Sequence, residues 1–191
     1  DGCLMEGISH EAISLAGHLK LGKLILLFDD NDISIDGPTD MAVSDNQLMR
    51  FEASGWDTTR IDGHDHGAIA AAIKAAKKTD KPSLIACKTV IGYGAPNKEG
   101  TSATHGAPLG DDEIAATREK LDWPHAPFEV PADILDSWRA AGRRAENERQ
   151  SWNGRLAAMA ADRRATFERT VAGDLPEGFD QAIDDYKKEL A

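Results

Sequence analysis

DGCLMEGISHEAISLAGHLKLGKLILLFDDNDISIDG, residues 1–37, contains a helical pattern and a strand pattern between two polar segments. Residues 4–20 place apolar side chains at helical spacing, which predicts one buried stripe formed by Ile8, Ala12, Leu15, Ala16 and Leu19. Residues 24–28 (LILLF) are a short continuous apolar run, which is typical of a strand buried on both faces. The segment therefore predicts the helix and the second strand of a β-α-β unit.

The two polar segments are expected to meet at one edge of a parallel sheet. If a strand precedes Asp1, the unit is a right-handed crossover, and both of its strands run parallel. Asp1 and Asn31 then lie side by side at the carboxyl ends of these strands. Open α/β sheets bind their ligands at this edge.

The residue types at this edge indicate a magnesium diphosphate site. The Asp1 carboxylate, the Asn31 amide oxygen and a nearby main-chain carbonyl are hard donors, which Mg²⁺ prefers in an octahedron completed by water and phosphate. Gly2 allows the backbone to approach a phosphate, and the following helix offers its N-terminal amides. Each piece alone is more typical of a turn or a solvated acidic loop than of a metal site, but their spacing favours the site.

A calcium loop of the EF-hand type is a competing interpretation. Asp32, Ser34, Asp36 and Gly37 match its first, third, fifth and sixth positions. The twelfth position falls on Val43, where a bidentate Glu is needed, and the preceding residues form a strand pattern instead of a helix. The EF-hand interpretation is therefore rejected.

Helix and strand patterns alternate further along the chain. Helices are predicted over 45–54, 66–78 and from Asp111 or Asp112 to Leu121, with strands over 56–61 and 83–90. This order predicts an α/β fold, a parallel sheet with helices on both faces. His64 and His66 flank Asp65 at a helix start, where capping explains the cluster. Residues 91–110 form a loop long enough to be functional.

Residues 131–170 change in character, because arginines alternate with alanines. They predict one long or two consecutive amphipathic helices outside the sheet, followed by a break at 173–178 and a last short helix. Interleaved acidic residues favour a solvated, salt-bridged face over an acidic partner.

Composition excludes several classes of function. With 22 basic and 33 acidic residues, the net charge of −11 argues against a nucleic-acid partner. No apolar stretch reaches membrane-spanning length. Cys3 and Cys87 make neither a disulfide framework nor a metal cluster, and Cys87 is expected to be a buried small hydrophobe. A reducing, cytoplasmic setting fits.

Several motifs resemble the transketolase family. Asp1 to Asn31 resembles the thiamine diphosphate signature, GDG followed later by Asn, without its first Gly. The bare signature is shared with pyruvate dehydrogenases and deoxyxylulose phosphate synthases. Five stretches resemble transketolases more specifically than this signature does: DGCLMEGISHEAISLAGHLKLGKLI, DDNDISIDG, MRFEASGW, DKPSLIACKTVIGYGAPNK and THGAPLG.

The resemblance implies a domain arrangement and an activity. Residues 1–130 would be a pyrophosphate-binding α/β domain without its first strands, and 131–191 a helical extension and linker toward an absent pyrimidine-binding domain. The implied activity is transfer of a two-carbon ketol unit between sugar phosphates in the pentose phosphate pathway. It would use thiamine diphosphate and Mg²⁺, with Ca²⁺ as a substitute ion, in a homodimer completed by the remaining domains. A fragment of this size is expected to be inactive alone.

The resemblance also assigns roles to individual residues. His105 would contact the cofactor and act in catalysis, where an imidazole can exchange a proton near neutral pH. The other assignments are cofactor contacts by Gly2, Asn31 and Ile35, metal binding by Asp1, Asn31 and the Ile33 carbonyl, and a dimer-interface carboxylate network by Glu6 and Glu11.

Three alternatives remain open at this point. The chain could come from dihydroxyacetone synthase or from another thiamine diphosphate enzyme. It could also be a non-catalytic α/β domain. For His105 the alternative is a loop histidine bound to nearby backbone.

Overall fold

The structure of the protein, a computed structural model, describes residues 1–190. The chain forms two compact units, Asp1–Pro124 and a second unit that begins at His125. Among the residues described, no helix combines the length and apolar character needed to span a membrane.

The first unit is built on a three-stranded parallel sheet. Its strands are β1 (Ile25–Asp30), β4 (Asp57–Asp62) and β5 (Ser83–Lys88), in the order β1-β5-β4, and a separate antiparallel hairpin contains β2 (Ile33–Ser34) and β3 (Gly37–Pro38). Its helices are α1 (Gly7–His18), α2 (Gln47–Ala53), α3 (His66–Ala76) and α4 (Asp111–Lys120). Short 3-10 turns cover Gly2–Met5, Thr39–Met41 and Ser102–Thr104.

The central strand explains why the sheet is covered on both faces. Residues 83–87 of β5 are all buried, so neither face can carry a solvated side chain. One face packs against α1 and α2 through Ile13, Ala16 and Phe51. The other packs against Ala76 of α3. The predicted parallel sheet with helices on both faces is therefore confirmed.

Local signals placed most elements of this unit within two residues. Asn46 caps α2 by accepting a hydrogen bond from the Met49 N–H, and Asp65 caps α3 by accepting from two backbone amides. Cys87 is buried as predicted, and this burial, with a smaller effect of the Asp29 charge, raises the pKa of its thiol.

The prediction that the LILLF strand is buried on both faces was wrong. Phe28 is buried, but half of the Leu27 side chain is exposed. The reason is the position of the strand, because β1 lies at the edge of the described sheet. Helix α3 packs against β4 and β5 and therefore does not cover this side of β1.

The predicted buried stripe of α1 was also largely wrong. Of its members only Ala16 is buried, while Ile8, Leu15 and Leu19 are more than half exposed. The buried face is instead formed by Ile13, Ala16 and Gly17. This face is chosen by close packing, because the Trp56 indole donates a hydrogen bond to the Ile13 carbonyl (2.9 Å) beside Gly17.

Gly17→Ala tests this packing. A Cβ at position 17 would lie 1.7 Å from the Ser54 carbonyl oxygen, which is backbone and cannot swing away. Alanine gains about 1 kcal/mol in helix propensity, but the overlap should exceed that gain, with a net loss of about 3 kcal/mol or more. Urea unfolding followed by tryptophan fluorescence measures the change.

Gly7→Ala is the matched control in the same helix, because a Cβ there meets nothing within 4 Å. It should leave the free energy of unfolding unchanged or slightly raised. Equal stability of the two variants would contradict the packing described for Gly17.

The second unit is helical throughout its regular structure. It contains α5 (Ala132–Arg143), α6 (Glu146–Ala157), α7 (Ala161–Ala172) and α8 (Phe179–Glu189). The prediction of one or two helices over 131–170 was wrong, because three occur there. Gly173 ends α7 with a left-handed backbone (φ 84°), which agrees with the predicted break at 173–178.

Ion pairs cover the exposed faces of these helices, as predicted. Arg149 pairs with Glu146 at 2.6 Å, and Arg164 lies 3.8 Å from Glu168. The hydrogen bond from Arg149 lowers the pKa of Glu146. Such exposed pairs contribute little stability each, so packing contacts such as Trp152 on Phe167 hold this unit together.

Candidate functional site

Asp1 is joined to the carboxyl end of β1. Its Oδ2 atom accepts hydrogen bonds from the backbone N–H groups of Asn31 (3.1 Å) and Asp32 (2.9 Å). The predicted proximity of Asp1 and Asn31 is therefore confirmed. Both bonds use the same carboxylate oxygen, so Oδ1 remains available to a cation.

The Asn31 side chain is fixed at both ends. Its Oδ1 atom accepts a hydrogen bond from the Ile33 N–H (3.0 Å), and its Nδ2 atom donates one to Asp29 (3.1 Å). An amide oxygen has two lone pairs, so Oδ1 keeps one for a metal ion. Asp32 has a left-handed backbone (φ 62°), which turns the chain sharply after Asn31.

The β2–β3 hairpin presents two isoleucines at this edge. Ile33 stands opposite Pro38, which has no N–H group, so the Ile33 carbonyl receives no hydrogen bond from that partner. Ile35 lies in the hairpin turn with 73% of its surface exposed. A carbonyl oxygen and an exposed apolar side chain are thus both available to a ligand.

The aspartates of the run from Asp29 to Asp32 contact partners that lie on β4, on β5 or directly after β5. Asp30 is buried and paired with Arg60 of β4 at 2.5 Å. Asp32 contacts Lys88, and Asp29 accepts from the Thr89 hydroxyl. Asp29 and Asp30 therefore belong to strand β1 and not to a loop, whereas Asp32 lies after the strand and stays exposed.

A cavity of about 700 Å³ lies at this edge. Three segments form it: the start of the chain, the end of β1 with its hairpin, and the loop after β5. Its lining residues are Asp1, Gly2, Cys3, Glu6, Asp29, Asn31, Ile33, Ser34, Ile35, Asp36, Ile91 and His105. Oxygen donors next to isoleucines suit a ligand with a charged end and an apolar ring.

This cavity brings together every residue predicted to bind metal or cofactor or to act in catalysis. Glu6, predicted to lie at a dimer interface, is also part of the lining. Glu11 is not; it lies exposed on α1. Residues 1–190 contain no group of three or more His, Cys, Asp or Glu that could hold a metal ion. A cation here would therefore depend on the Asp1 carboxylate, the Asn31 amide and the Ile33 carbonyl.

These three oxygens fit a magnesium diphosphate. They are hard donors of mixed charge, and Mg²⁺ completes an octahedron with water and phosphate oxygens. The fixed orientation of Asn31 and the Ile33 carbonyl, to which Pro38 cannot donate a hydrogen bond, are the observations that support this fit.

The loop that carries His105 is anchored by residues that the sequence did not reveal. The buried Glu113 of α4 accepts hydrogen bonds from the Asn97 backbone (2.8 Å) and side chain (2.9 Å). Glu99 accepts from the Gly94 N–H and from Lys120, both at 2.9 Å. These bonds hold the loop against the helix that follows it.

Close packing then determines where His105 lies. Gly92 has a left-handed backbone (φ 65°), and a Cβ there would come within 2.6 Å of the Thr104 side chain. His105 follows Thr104 directly, so glycine at position 92 is needed for this arrangement.

His64 contacts the beginning of the loop that carries His105. Its Nε2 atom accepts a hydrogen bond from the Val90 N–H (3.0 Å), and its ring stacks on Tyr93 with centroids 4.1 Å apart. Asp65 alone caps α3. The capping explanation of the His64–Asp65–His66 cluster is therefore right for Asp65 and wrong for His64.

Hydrogen bonding lowers the pKa values of both anchoring carboxylates. The side-chain hydrogen bond from Lys120 is the main cause at Glu99, and that from Asn97 is the main cause at Glu113. Both values fall below the ordinary 4.5. The anchors therefore stabilise the loop above pH 4.5 and lose this effect as the pH falls through the lower folded-state values.

We expect the loop to loosen in acid before the sheet does. Amide hydrogen exchange, corrected for intrinsic rates, should rise in residues 91–110 below pH 4.5 while β5 stays protected. Glu113→Gln should raise loop exchange already at neutral pH, because the carboxylate that accepts two bonds from Asn97 is lost.

Glu119→Gln on the exposed side of the same helix is the control and should not change loop exchange. Loop exchange that is identical in both variants and in the parent would show that Glu113 does not hold the loop.

Comparison with known proteins matches residues 1–176 to the family model described as transketolase, thiamine diphosphate binding domain. The chain belongs to the transketolase family. Its expected membership is thereby confirmed, and so is the assignment to the thiamine diphosphate-binding part of that family.

Curated relatives give the same family. A transketolase of Sinorhizobium medicae is 57% identical over 90% of this chain, which covers 24% of that protein. Transketolase 1 of Escherichia coli is 52% identical over the full chain, which covers 29% of it. The chain thus spans less than a third of the length of these relatives.

Solved structures agree on the fold. A transketolase of Pichia stipitis in complex with sedoheptulose-7-phosphate has a TM-score of 0.81 and 43% identity, over 95% of this chain and 28% of that one. The transketolase of Campylobacter jejuni has a TM-score of 0.78 and 40% identity, over 88% of this chain and 27% of its own.

Proposed function

We propose that this chain forms the thiamine diphosphate- and Mg²⁺-binding part of a transketolase, which moves a two-carbon ketol unit from a ketose phosphate to an aldose phosphate. The observation that carries the proposal is the cavity in which Asp1, Asn31 and Ile33 place oxygen donors beside His105. Sugar phosphates fit this assignment, because a related transketolase was solved with sedoheptulose-7-phosphate.

Each binding residue has a distinct part in this proposal. Asp1, Asn31 and the Ile33 carbonyl hold the cation, for which Ca²⁺ can substitute because it also binds oxygen ligands. Gly2 allows the backbone to approach the diphosphate, and Ile35 packs against the thiazolium ring. When bound, thiamine diphosphate supplies the carbanion chemistry and the electron sink, while the protein supplies position and electrostatics.

His105 holds or transfers a proton at the substrate oxygen. It is the single histidine among the lining residues of the cavity, and an imidazole can both donate and accept a proton. The backbone bond from the His105 N–H to the Ser102 carbonyl (3.0 Å) fixes the main chain and leaves the ring free of that contact.

The proposal extends to the whole protein. Residues 1–130 belong to the pyrophosphate-binding domain and 131–191 to a helical extension and linker toward a pyrimidine-binding domain. Glu6 and Glu11 contribute to the interface of a homodimer, where paired carboxylates share a proton. The enzyme acts in the cytoplasm, in the pentose phosphate pathway.

The full-length protein that contains this chain provides the test. With a ketose phosphate donor and an aldose phosphate acceptor, ketol transfer should require both thiamine diphosphate and Mg²⁺. Formaldehyde as the acceptor separates the activity from that of dihydroxyacetone synthase. A full-length protein that binds no thiamine diphosphate in calorimetry would contradict the proposal and favour a non-catalytic domain.

A further inference from the structure

We propose that Asp29 is a positioning residue for the cation site, because it fixes the Asn31 amide so that its oxygen faces the metal. The inference rests on the proposed function, since it concerns the same Mg²⁺–diphosphate site. It assigns a role to a residue that does not itself contribute a ligand oxygen.

A chain of hydrogen bonds carries the inference. The Thr89 hydroxyl donates to Asp29 Oδ1, and Asp29 Oδ2 accepts from Asn31 Nδ2 at 3.1 Å. Asn31 Oδ1 in turn accepts from the Ile33 N–H at 3.0 Å. The two carboxylate oxygens of Asp29 thus have separate partners, one on each side.

The chemistry of the groups makes this arrangement directional. The two ends of an asparagine amide have nearly the same shape but opposite hydrogen-bonding character. An ionised carboxylate only accepts, so Asp29 selects the NH₂ end of Asn31, whereas the Ile33 N–H selects the oxygen end. The amide cannot rotate by half a turn without losing both bonds, so its oxygen is kept next to the backbone of Ile33, whose carbonyl is the neighbouring donor assigned to the cation.

The sheet makes this support rigid. Asp29 lies on β1 opposite Cys87 of β5, and Thr89 follows β5 directly. The Thr89 N–H donates to the Asp30 carbonyl at 3.3 Å, which continues the pairing of the two chains beyond the strand. The backbone of Asp29 is therefore fixed by the sheet, and its exposed side chain is held by Thr89.

Two consequences follow for metal binding. Groups that orient a ligand and increase its basicity typically change metal affinity by about 10- to 100-fold when removed. Mg²⁺ demands near-ideal octahedral geometry, whereas Ca²⁺ tolerates varied geometry. Loss of the orienting bond should therefore weaken Mg²⁺ binding more than Ca²⁺ binding.

The first experiment uses Asp29→Ala in the full-length protein, which removes both oxygens that accept from Asn31 and Thr89. Titration of Mg²⁺ and of Ca²⁺ in the presence of thiamine diphosphate should show Mg²⁺ affinity reduced by about 10- to 100-fold. The loss of Ca²⁺ affinity should be smaller, so that the ratio of the two affinities shifts toward Ca²⁺. Asp40→Ala removes the same charge from the nearby 3-10 turn Thr39–Met41 and should not shift this ratio.

The second experiment keeps the inference testable if Asp29→Ala fails to fold. Thr89→Val removes the hydroxyl that donates to Asp29 and should lower Mg²⁺ affinity in the same direction. Thr89→Ser keeps the hydroxyl and should restore it. Rescue by serine separates the hydrogen bond from the packing of the Thr89 side chain.

The outcomes separate this inference from the proposed function. In one outcome the parent protein binds Mg²⁺ and thiamine diphosphate, while Asp29→Ala and Thr89→Val bind Mg²⁺ as tightly as the parent does. That result overturns the positioning role and leaves the proposed function standing. If Asp29→Ala and Asp40→Ala weaken the binding of both metals equally, only net charge matters and the positioning role is again overturned. If the parent binds neither metal with the cofactor, the proposed function fails and the inference fails with it.

Discussion

Asp1→Ala in the full-length protein should abolish retention of Mg²⁺ and thiamine diphosphate, with a loss of affinity of more than about 100-fold. This exceeds the effect of removing a group that only orients a ligand, because Asp1 is the single carboxylate assigned to the cation. The substitution also removes the acceptor for the Asn31 and Asp32 backbone amides. Calorimetric titration of Mg²⁺ with thiamine diphosphate measures the change.

Two further variants separate these effects. Asp1→Asn keeps an oxygen that can accept a backbone N–H but removes the charge. It should therefore still hold the backbone of Asn31 and Asp32 in place and bind the metal weakly. Asp57→Ala removes an exposed carboxylate at the start of β4, the opposite edge of the sheet, and should leave affinity unchanged. Unaltered affinity in Asp1→Ala would refute the assignment of Asp1 to the metal.

The arrangement of the first unit followed from local signals. Asp65 indicated the start of α3, and the apolar run that begins at Ser83 indicated the buried strand β5. Such signals act within a few residues, so pattern analysis finds them. The alternation of helices and strands then required a parallel sheet with both faces covered.

Contacts between distant residues explain the errors in the same unit. The buried face of α1 depends on how closely Gly17 approaches Ser54, and no helical period contains that information. Likewise, the exposure of Leu27 follows from the order β1-β5-β4, which local patterns do not specify.

The second unit shows a different limit. The breaks between α5 and α6 and between α6 and α7 contain neither glycine nor proline. Only the break after α7 has a glycine with a left-handed backbone, and only that break was predicted.

The candidate site was predictable where chemistry and spacing coincide. The pair Asp1 and Asn31 and the THGAPLG stretch around His105 pointed to residues that the structure gathers in one cavity. The supports of the loop were not predictable, because Glu113 resembles any acidic residue in a first helical turn. One general signal was available: the backbone amides of a long loop need hydrogen-bond acceptors, and nearby acidic side chains can supply them.

His105→Ala in the full-length protein should lower turnover by about 100-fold or more, which is the loss expected when a positioned acid–base group is removed. Affinity for Mg²⁺ and thiamine diphosphate should change little, because the oxygens assigned to the cation belong to Asp1, Asn31 and Ile33. The ring lies in the cavity at the end of a loop fixed by Gly92, Glu99 and Glu113, so its removal should not displace those oxygens. Steady-state kinetics combined with calorimetric titration distinguishes the two effects.

A second histidine variant makes this test specific. His66→Ala, at the exposed start of α3, removes an imidazole outside the cavity and should keep the rate of the parent protein. Turnover equal to that of the parent in His105→Ala would return His105 to the role of a loop histidine, and loss of metal affinity together with turnover would make it a binding residue. A loss of turnover with affinity retained is the result that the cavity geometry predicts, because the imidazole and the metal-binding oxygens come from separate segments of the chain.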